Sequence, residues 1–316
     1  MNIIFFGTSA FAAQSLVEIS KSKHKVSLVV TVPDKKSGRG MQLMPSPVKM
    51  EAGHLGLLVH QPQAISSPET INLLKSKKAD LFVVISYGYI LPKAILDIPK
   101  KYCINLHASL LPKYRGAAPC NWAVINGETK TGVTVIRLNE KMDAGDIITS
   151  QSINIRENDT SEDVYSQLAC IGAETLIATL NLIESSKEKF VEQDESLVSY
   201  APKLKKEDGL IDWKKSAKAI KNLIRGMQPW PGAYTYMPCQ QAGTDKKLLK
   251  IFKAEAIGSI SASEPGAIIK IEKDYFVVNC GVDALAIKEL QVEGKERMNA
   301  GQFLRGAQLK EGLKLF

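Results

Sequence analysis

The sequence predicts two domains: an N-terminal α/β domain whose mostly parallel sheet carries helices on both faces, and a C-terminal antiparallel β-barrel. Three observations predict it. The chain has 316 residues, 45% of them apolar, which suffices for two cores rather than one. Up to about residue 190, short β-branched or apolar runs alternate with helical stretches, the pattern of strand–helix–strand units. Beyond residue 209, short strands separated by turn residues dominate.

Taken in order, residues 3–6, 26–32, 81–85 and 103–106 read as strands, with helices such as 10–20 and 68–75 between them. Thr160 and Asp163 form a capping box that opens a long helix running to about Ser185. The polar stretch from Lys187 to Gly209, which contains Pro202, reads as the connection. The expected division is therefore 1–190, a linker at 191–209, and 210–316. In the last part, residues 233–237, 248–253, 267–271, 275–280 and 285–292 are short strands whose number and spacing fit a barrel of the OB type, a fold that often holds nucleic acid.

Composition narrows the function classes. No continuous apolar run approaches the roughly 20 residues of a membrane span, and the opening apolar stretch breaks at Gly7, so a cytoplasmic protein is expected. Cys103, Cys120, Cys170, Cys239 and Cys280 are scattered and form no C-x-x-C pair, which favours plain thiols over zinc or redox chemistry. The formal charge of +8 is uneven: residues 203–316 carry 20 Lys and Arg against 13 Asp and Glu, the remainder 21 against 20. Such a bias fits either a surface that meets phosphates or a merely basic solvated one.

Ligands of open α/β sheets bind beyond the carboxyl ends of the strands, so the residues where apolar runs stop come next. Gly7-Thr8-Ser9-Ala10-Phe11 lacks the G-x-G-x-x-G fingerprint and reads as a tight strand-to-helix turn, not a dinucleotide site. Within Cys103-Ile104-Asn105-Leu106-His107-Ala108-Ser109-Leu110-Leu111-Pro112, strand alternation puts Asn105 and His107 on one side at an open strand end. An amide and an imidazole placed so can stabilise an oxyanion and handle a proton, although a strand-end histidine is often structural. Asp143, in Met142-Asp143-Ala144-Gly145-Asp146, fits a turn between strands and is a further candidate.

Asn105-x-His107, the run from Ser109 through Pro112, Arg115 and Gly116 to Pro119, and Met142 to Asp146 agree in spacing and order with the folate-dependent formyltransferase family, which the chain resembles over nearly its whole length. The stretch from Phe6 to Ala12, the loop from Pro33 and Asp34 to Lys49, and Ile224-Arg225 with Pro229-Trp230-Pro231 narrow the resemblance to members acting on methionyl-tRNA. The resemblance implies a Rossmann-like formyltransferase fold, 10-formyltetrahydrofolate as donor cosubstrate, initiator methionyl-tRNA as acceptor, a monomer, and no metal or dinucleotide. It implies that Asn105 and His107 hold the oxyanion of a tetrahedral intermediate, that Asp143 orients His107 and helps carry a proton, and that Ser109, Leu110, Leu111 and Pro112 contact the folate.

For the tRNA, the resemblance implies contact through the basic loop bearing Lys35, Lys36, Arg39 and Lys49, with Arg39 foremost, and through phosphates held by the barrel. The loop departs from a common family pattern, having Met41-Gln42 where two lysines are frequent. Two other readings share the same residues. One is a formyltransferase or formylfolate hydrolase with a small acceptor, which should lack the basic loop and barrel. The other is an RNA-binding protein that keeps the fold as a scaffold, against which the intact Asn/His/Asp set speaks.

Overall fold

The computed structural model describes residues 1–37, 42–238, 246–258, 263–307 and 309–316. The chain forms two compact units, one of Met1–Pro119, Lys130–Asn154 and Tyr165–Ala201, the other of Cys120–Thr129, Ile155–Val164 and Pro202–Phe316. In chain order the elements up to residue 201 are β1 (Asn2–Gly7), α1 (Ala10–Lys21), β2 (Lys25–Val30), β3 (Lys35–Ser37), β4 (Gln42–Met44), α2 (Pro47–His54), β5 (Val59–His60), α3 (Pro68–Ser76), β6 (Leu81–Ile85), α4 (Lys93–Leu96), β7 (Tyr102–His107), β8 (Arg115–Gly116), α5 (Pro119–Ile125), β9 (Lys130–Arg137), β10 (Ile147–Asn154), α6 (Ser161–Glu184) and β11 (Tyr200–Ala201).

The first unit is built on a seven-stranded sheet in the order β10-β9-β7-β6-β1-β2-β5. Its five central and distal strands, β7, β6, β1, β2 and β5, run parallel, while β9 and β10 close one edge as an antiparallel hairpin. Because the chain starts at β1, moves outward to β5 and returns to β6 on the other side, the strand order switches between β1 and β6, where such sheets bind ligands. One face of the sheet packs Ile4, Phe6, Leu28, Val30, Phe82, Val84 and Cys103 beneath Leu74 of α3 and Ile95 of α4. Each fully buried phenylalanine there contributes about 2–3 kcal/mol. On the opposite face, Gly172 of α6 lies so close that an added Cβ would meet Leu106, Phe11 and Val133 at 3.1–3.4 Å.

Local signals account for the helix starts. Ser9 caps α1 by accepting from Ala12 N, and Ser46 and Ser67 cap α2 and α3 with a proline next in line. The Thr160–Asp163 box forms as expected, with Asp163 Oδ2 accepting from Thr160 N at 2.9 Å and Asp163 N donating to Thr160 Oγ1 at 3.2 Å. Among the described residues α6 is long and apolar enough to cross a membrane, although the sequence has no unbroken apolar run of that length; half of its apolar stretch is buried in the fold.

The second unit adds α7 (Ala217–Gly226), β12 (Ala233–Pro238), β13 (Lys246–Ile257), β14 (Ile268–Ile271), β15 (Phe276–Asn279), β16 (Ala284–Val292), β17 (Met298–Asn299) and α8 (Ala300–Gly306). The strands pair antiparallel in the order β12-β13-β16-β15-β14, with β17 on β16, the barrel-like sheet the spacing predicted. Residues 120–129 and 155–164 belong here because they hold the end of α7. Arg225 donates to the carbonyls of Val124 and Asp159, and Asn121 and Ser161 both donate to Gly226 O.

Candidate active site

Gly7 ends β1 where a side chain has no room: an added Cβ would lie 2.7 Å from the Phe5 ring, 2.8 Å from Ala12 Cβ and 3.1 Å from the Ile85 carbonyl. Thr8 then donates to the Tyr87 carbonyl at 3.0 Å, fastening the loop after β1 to the loop after β6. Tyr87 is buried against Phe6, and burial pushes its phenol up to about 12. Tyr89 and Ile90 next to it stand exposed.

On β7, Cys103 belongs to the apolar face of the sheet, and alternation continues that face through Asn105 and His107. The Asn105 side-chain amide has no hydrogen-bond partner among the described residues. His107 is buried, and its Nε2 lies 2.9 Å from the Tyr114 carbonyl. A carbonyl only accepts, so Nε2 carries a proton and Nδ1 is the nitrogen left for chemistry. Nδ1 sits 3.6 Å from Asp143 Oδ1. The other carboxylate oxygen, Oδ2, accepts from Gly116 N at 2.9 Å.

Asp143 lies in the turn between β9 and β10, as the sequence suggested, with a left-handed backbone at φ 51°. Such a conformation in a non-glycine residue persists only where its surroundings impose it. Here the turn is closed by Arg137 N donating to Asp146 O, and Gly145 packs so tightly that a Cβ would sit 1.7 Å from the Arg137 carbonyl. Gln193 supplies the rest of the hold, donating from Nε2 to the carbonyls of Asp143 at 2.8 Å and Gly145 at 2.7 Å. Its Oε1 accepts from Arg115 Nε and Nη2, and Arg115 in turn pairs with Glu195 at 2.9 Å.

The loop of Ser109 to Pro112 follows His107 directly and is closed from within. Ser109 is fully buried and donates to the Lys113 carbonyl at 2.7 Å, so its hydroxyl is engaged inside the loop. Thr134 of β9 also fastens it: Oγ1 donates to Ser109 O at 2.7 Å and accepts from Leu111 N at 3.1 Å. Leu111 is buried and Leu110 half-buried. The structure thus gathers Asn105, His107, Asp143 and the Ser109–Pro112 loop around the end of β7.

The four basic-loop residues have a different setting. Lys35 and Lys36 lie on β3, which pairs with β4, and Lys35 is exposed; Arg39 falls outside the described residues. Lys49, in the first turn of α2, is tied to Asp34 at 2.7 Å, and Gln61 donates to the same carboxyl. These two donors hold Asp34 below the usual carboxylate range.

Sequence reading missed Gln193, Thr134 and the Tyr114 carbonyl. Thr134 left a faint signal, as a polar residue inside the apolar run of β9; Gln193 left none, lying in a stretch that read as a connection.

On the second unit, Tyr234 and Tyr236 of β12 are half-buried, opposite Lys250 and Leu248 of β13 and alternating with the buried Ala233 and Thr235. Lys246 lies over the Phe316 ring at 4.9 Å and Arg297 over Phe252 at 4.2 Å.

Residues 1–180 match the family model described as formyl transferase, and residues 203–308 match that of the formyl transferase C-terminal domain. The chain belongs to the formyl transferase family. Within the family it is 44% identical to the methionyl-tRNA formyltransferase of Geobacter metallireducens, over all of this chain and 98% of that one. It is 46% identical to the methionyl-tRNA formyltransferase of Citrifermentans bemidjiense, over 99% and 95%. Among solved structures, the sugar 3N-formyltransferase WlaRD shares the fold with a TM-score of 0.65 at 20% identity, covering 94% of this chain and 99% of that one. HypX of Aquifex aeolicus in complex with tetrahydrofolic acid does so at 0.61 and 19%, covering 99% and 50%.

Proposed function

We propose that the chain transfers the formyl group of 10-formyltetrahydrofolate to the α-amino group of methionine carried on initiator tRNA, in the cytoplasm and as a monomer, supporting translation initiation. The observation that carries the reading is the His107–Asp143 pair, 3.6 Å apart, with the unengaged Asn105 amide on the same strand face. The full-length likeness to methionyl-tRNA formyltransferases supports the choice of acceptor.

The neutral amine attacks the formyl carbon, forming the new C–N bond while the carbonyl electron pair moves to oxygen. Asn105 Nδ2 and the protonated Nδ1 of His107 then stabilise that oxyanion; one such donor is worth on the order of 100- to 1000-fold in turnover, about 3 kcal/mol. Since Nε2 is committed to Tyr114, Nδ1 is where His107 exchanges its proton, against Asp143. The intermediate collapses by breaking the bond to nitrogen 10 of the folate. That nitrogen leaves with a proton equivalent to the one the amine gives up, relayed by His107 and Asp143 through water.

Ser109, Leu110, Leu111 and Pro112 contact the folate in this reading, Ser109 through the loop it shapes rather than through its engaged hydroxyl. Residues 1–190 perform the chemistry, and 210–316, joined through 191–209, hold the tRNA. The half-buried tyrosines of β12 with Lys250 and Lys246 support the second role, because aromatic rings stack on bases while lysines meet phosphates. Lys35, Lys36 and Arg39 add contacts to the acceptor end, and Lys49 joins them once released from Asp34.

The test compares formylation of charged initiator tRNA with that of glycinamide ribonucleotide, alongside His107→Ala. The expected result is activity on the tRNA alone, and a variant that binds tRNA normally while turnover drops at least roughly 100-fold. Comparable formylation of the nucleotide, or turnover surviving in the variant, would overturn the reading.

A further inference from the structure

We propose that Gln193 is a positioning residue for Asp143, and that the segment from Gln193 to Ala201 is the strap that sets the His107–Asp143 pair. The inference rests on the reading that this pair does the chemistry. Gln193 is 5% exposed, and its side chain uses both N–H groups and the oxygen: two bonds given to the Asp143 and Gly145 carbonyls, two taken from Arg115. A buried amide satisfied on both sides has one orientation, because turning it over would set its N–H groups against the Arg115 donors and its oxygen against two carbonyls. Arg115 is itself fixed, 4% exposed and paired with Glu195. The result is a buried brace from Arg115 through Gln193 to the backbone of a residue in a left-handed conformation, with the exposed Glu195 pairing with the outer side of Arg115.

The same segment controls the partner side. Arg115 N donates to Ser199 O at 2.8 Å, Tyr114 N donates to Ser199 Oγ at 3.0 Å, and Ala117 N donates to Ala201 O at 2.9 Å. These bonds seat β8 on β11, and β8 with the residue before it supplies both remaining anchors of the pair: the Tyr114 carbonyl that takes His107 Nε2–H, and the Gly116 N–H that holds Asp143 Oδ2. One stretch of chain, about 50 residues beyond Asp143, therefore fixes the ring from one side and the carboxylate from two. Gln193 touches no reacting atom; it acts through Asp143.

Gln193→Glu keeps an acceptor for Arg115 but removes both N–H donors, and Gln193→Leu removes both functions. Formyl transfer from 10-formyltetrahydrofolate to charged initiator tRNA is measured for each, in the wild-type and in the Asp143→Asn background. A catalytic group displaced by about 1 Å costs on the order of 100-fold. The expected outcome for Gln193→Glu is a kcat lowered about 10- to 100-fold with KM for the folate within about twofold. In the Asp143→Asn background the second change should add less than about threefold, because what Gln193 positions is already gone. A general weakening of the fold would instead multiply through both backgrounds, and that result overturns the proposal. So does wild-type kcat in Gln193→Glu. Full activity of Asp143→Asn alone would remove the reading beneath it, an outcome separate from either.

Discussion

Replacing Thr134 with valine removes one oxygen and nearly nothing else in shape, yet it strands two main-chain groups. Thr134 is fully buried, and its hydroxyl is both the donor to Ser109 O and the acceptor for Leu111 N. A buried polar group left without a partner costs about 1–3 kcal/mol, so the pair costs about 2–6 kcal/mol. The extra buried methyl returns about 1 kcal/mol, leaving about 1–5 kcal/mol, and partial loop relaxation brings the middle of that range down to an expected net loss of about 2–3 kcal/mol. For a unit of this size each kcal/mol moves the melting point by about 2–4 °C, which predicts a fall of about 4–12 °C for the transition in which the unit carrying Thr134 unfolds. Because the loop leads straight out of His107, KM for 10-formyltetrahydrofolate should rise more than kcat falls. Thr134→Ser keeps the hydroxyl and should lose about 1 kcal/mol, the share of its methyl. A valine variant melting within about 2 °C of wild type, or losing no more stability than the serine variant, refutes the claim that this hydroxyl holds the loop.

Asp143→Asn retains an oxygen for Gly116 N but loses the charge opposite His107 Nδ1, and kcat should fall on the order of 100- to 10,000-fold; more than a tenth of wild-type turnover would contradict that. Asp34→Asn should free Lys49 for a phosphate, since the Lys49 and Gln61 donors hold Asp34 below the usual carboxylate range and so keep it ionised at neutral pH. At neutral pH tRNA affinity should then depend more steeply on salt by about one counterion, and an unchanged slope would mean that Lys49 never meets the RNA. Cys170 is the exposed one among the described cysteines, whereas burial pushes the thiols of Cys120 and Cys280 up to about 12 and that of Cys103 higher still. Of these four, Cys170 alone should react with a thiol reagent in the native state, read by mass mapping after brief labelling.

Local pattern placed the four inner parallel strands, the long helix and the barrel strands, though not β5, β9 or β10, and it marked the strand end where the candidate site lies. β6 appears at the bounds its apolar run suggests, and the Thr160–Asp163 box starts α6, because periodicity and capping are properties of neighbouring residues. Asn105 and His107 were legible for the same reason: two polar residues two apart, where an apolar strand stops. Asp143 was legible as a turn residue, and as a site residue only through the motif around it.

Which side chains meet is settled only when the chain folds. Nothing near Gln193 announces that a polar stretch will fold back to brace Asp143, and nothing near Lys49 shows that Asp34 will occupy it. Residues 120–129 and 155–164 read as parts of the first domain, yet they close around Arg225 and Gly226 of α7 in the second compact unit. The physical reason is common to all of these. A local pattern sets which face of a strand or helix is apolar, but a buried hydrogen-bonding group is satisfied by whatever the folded chain brings to it, often from scores of residues away.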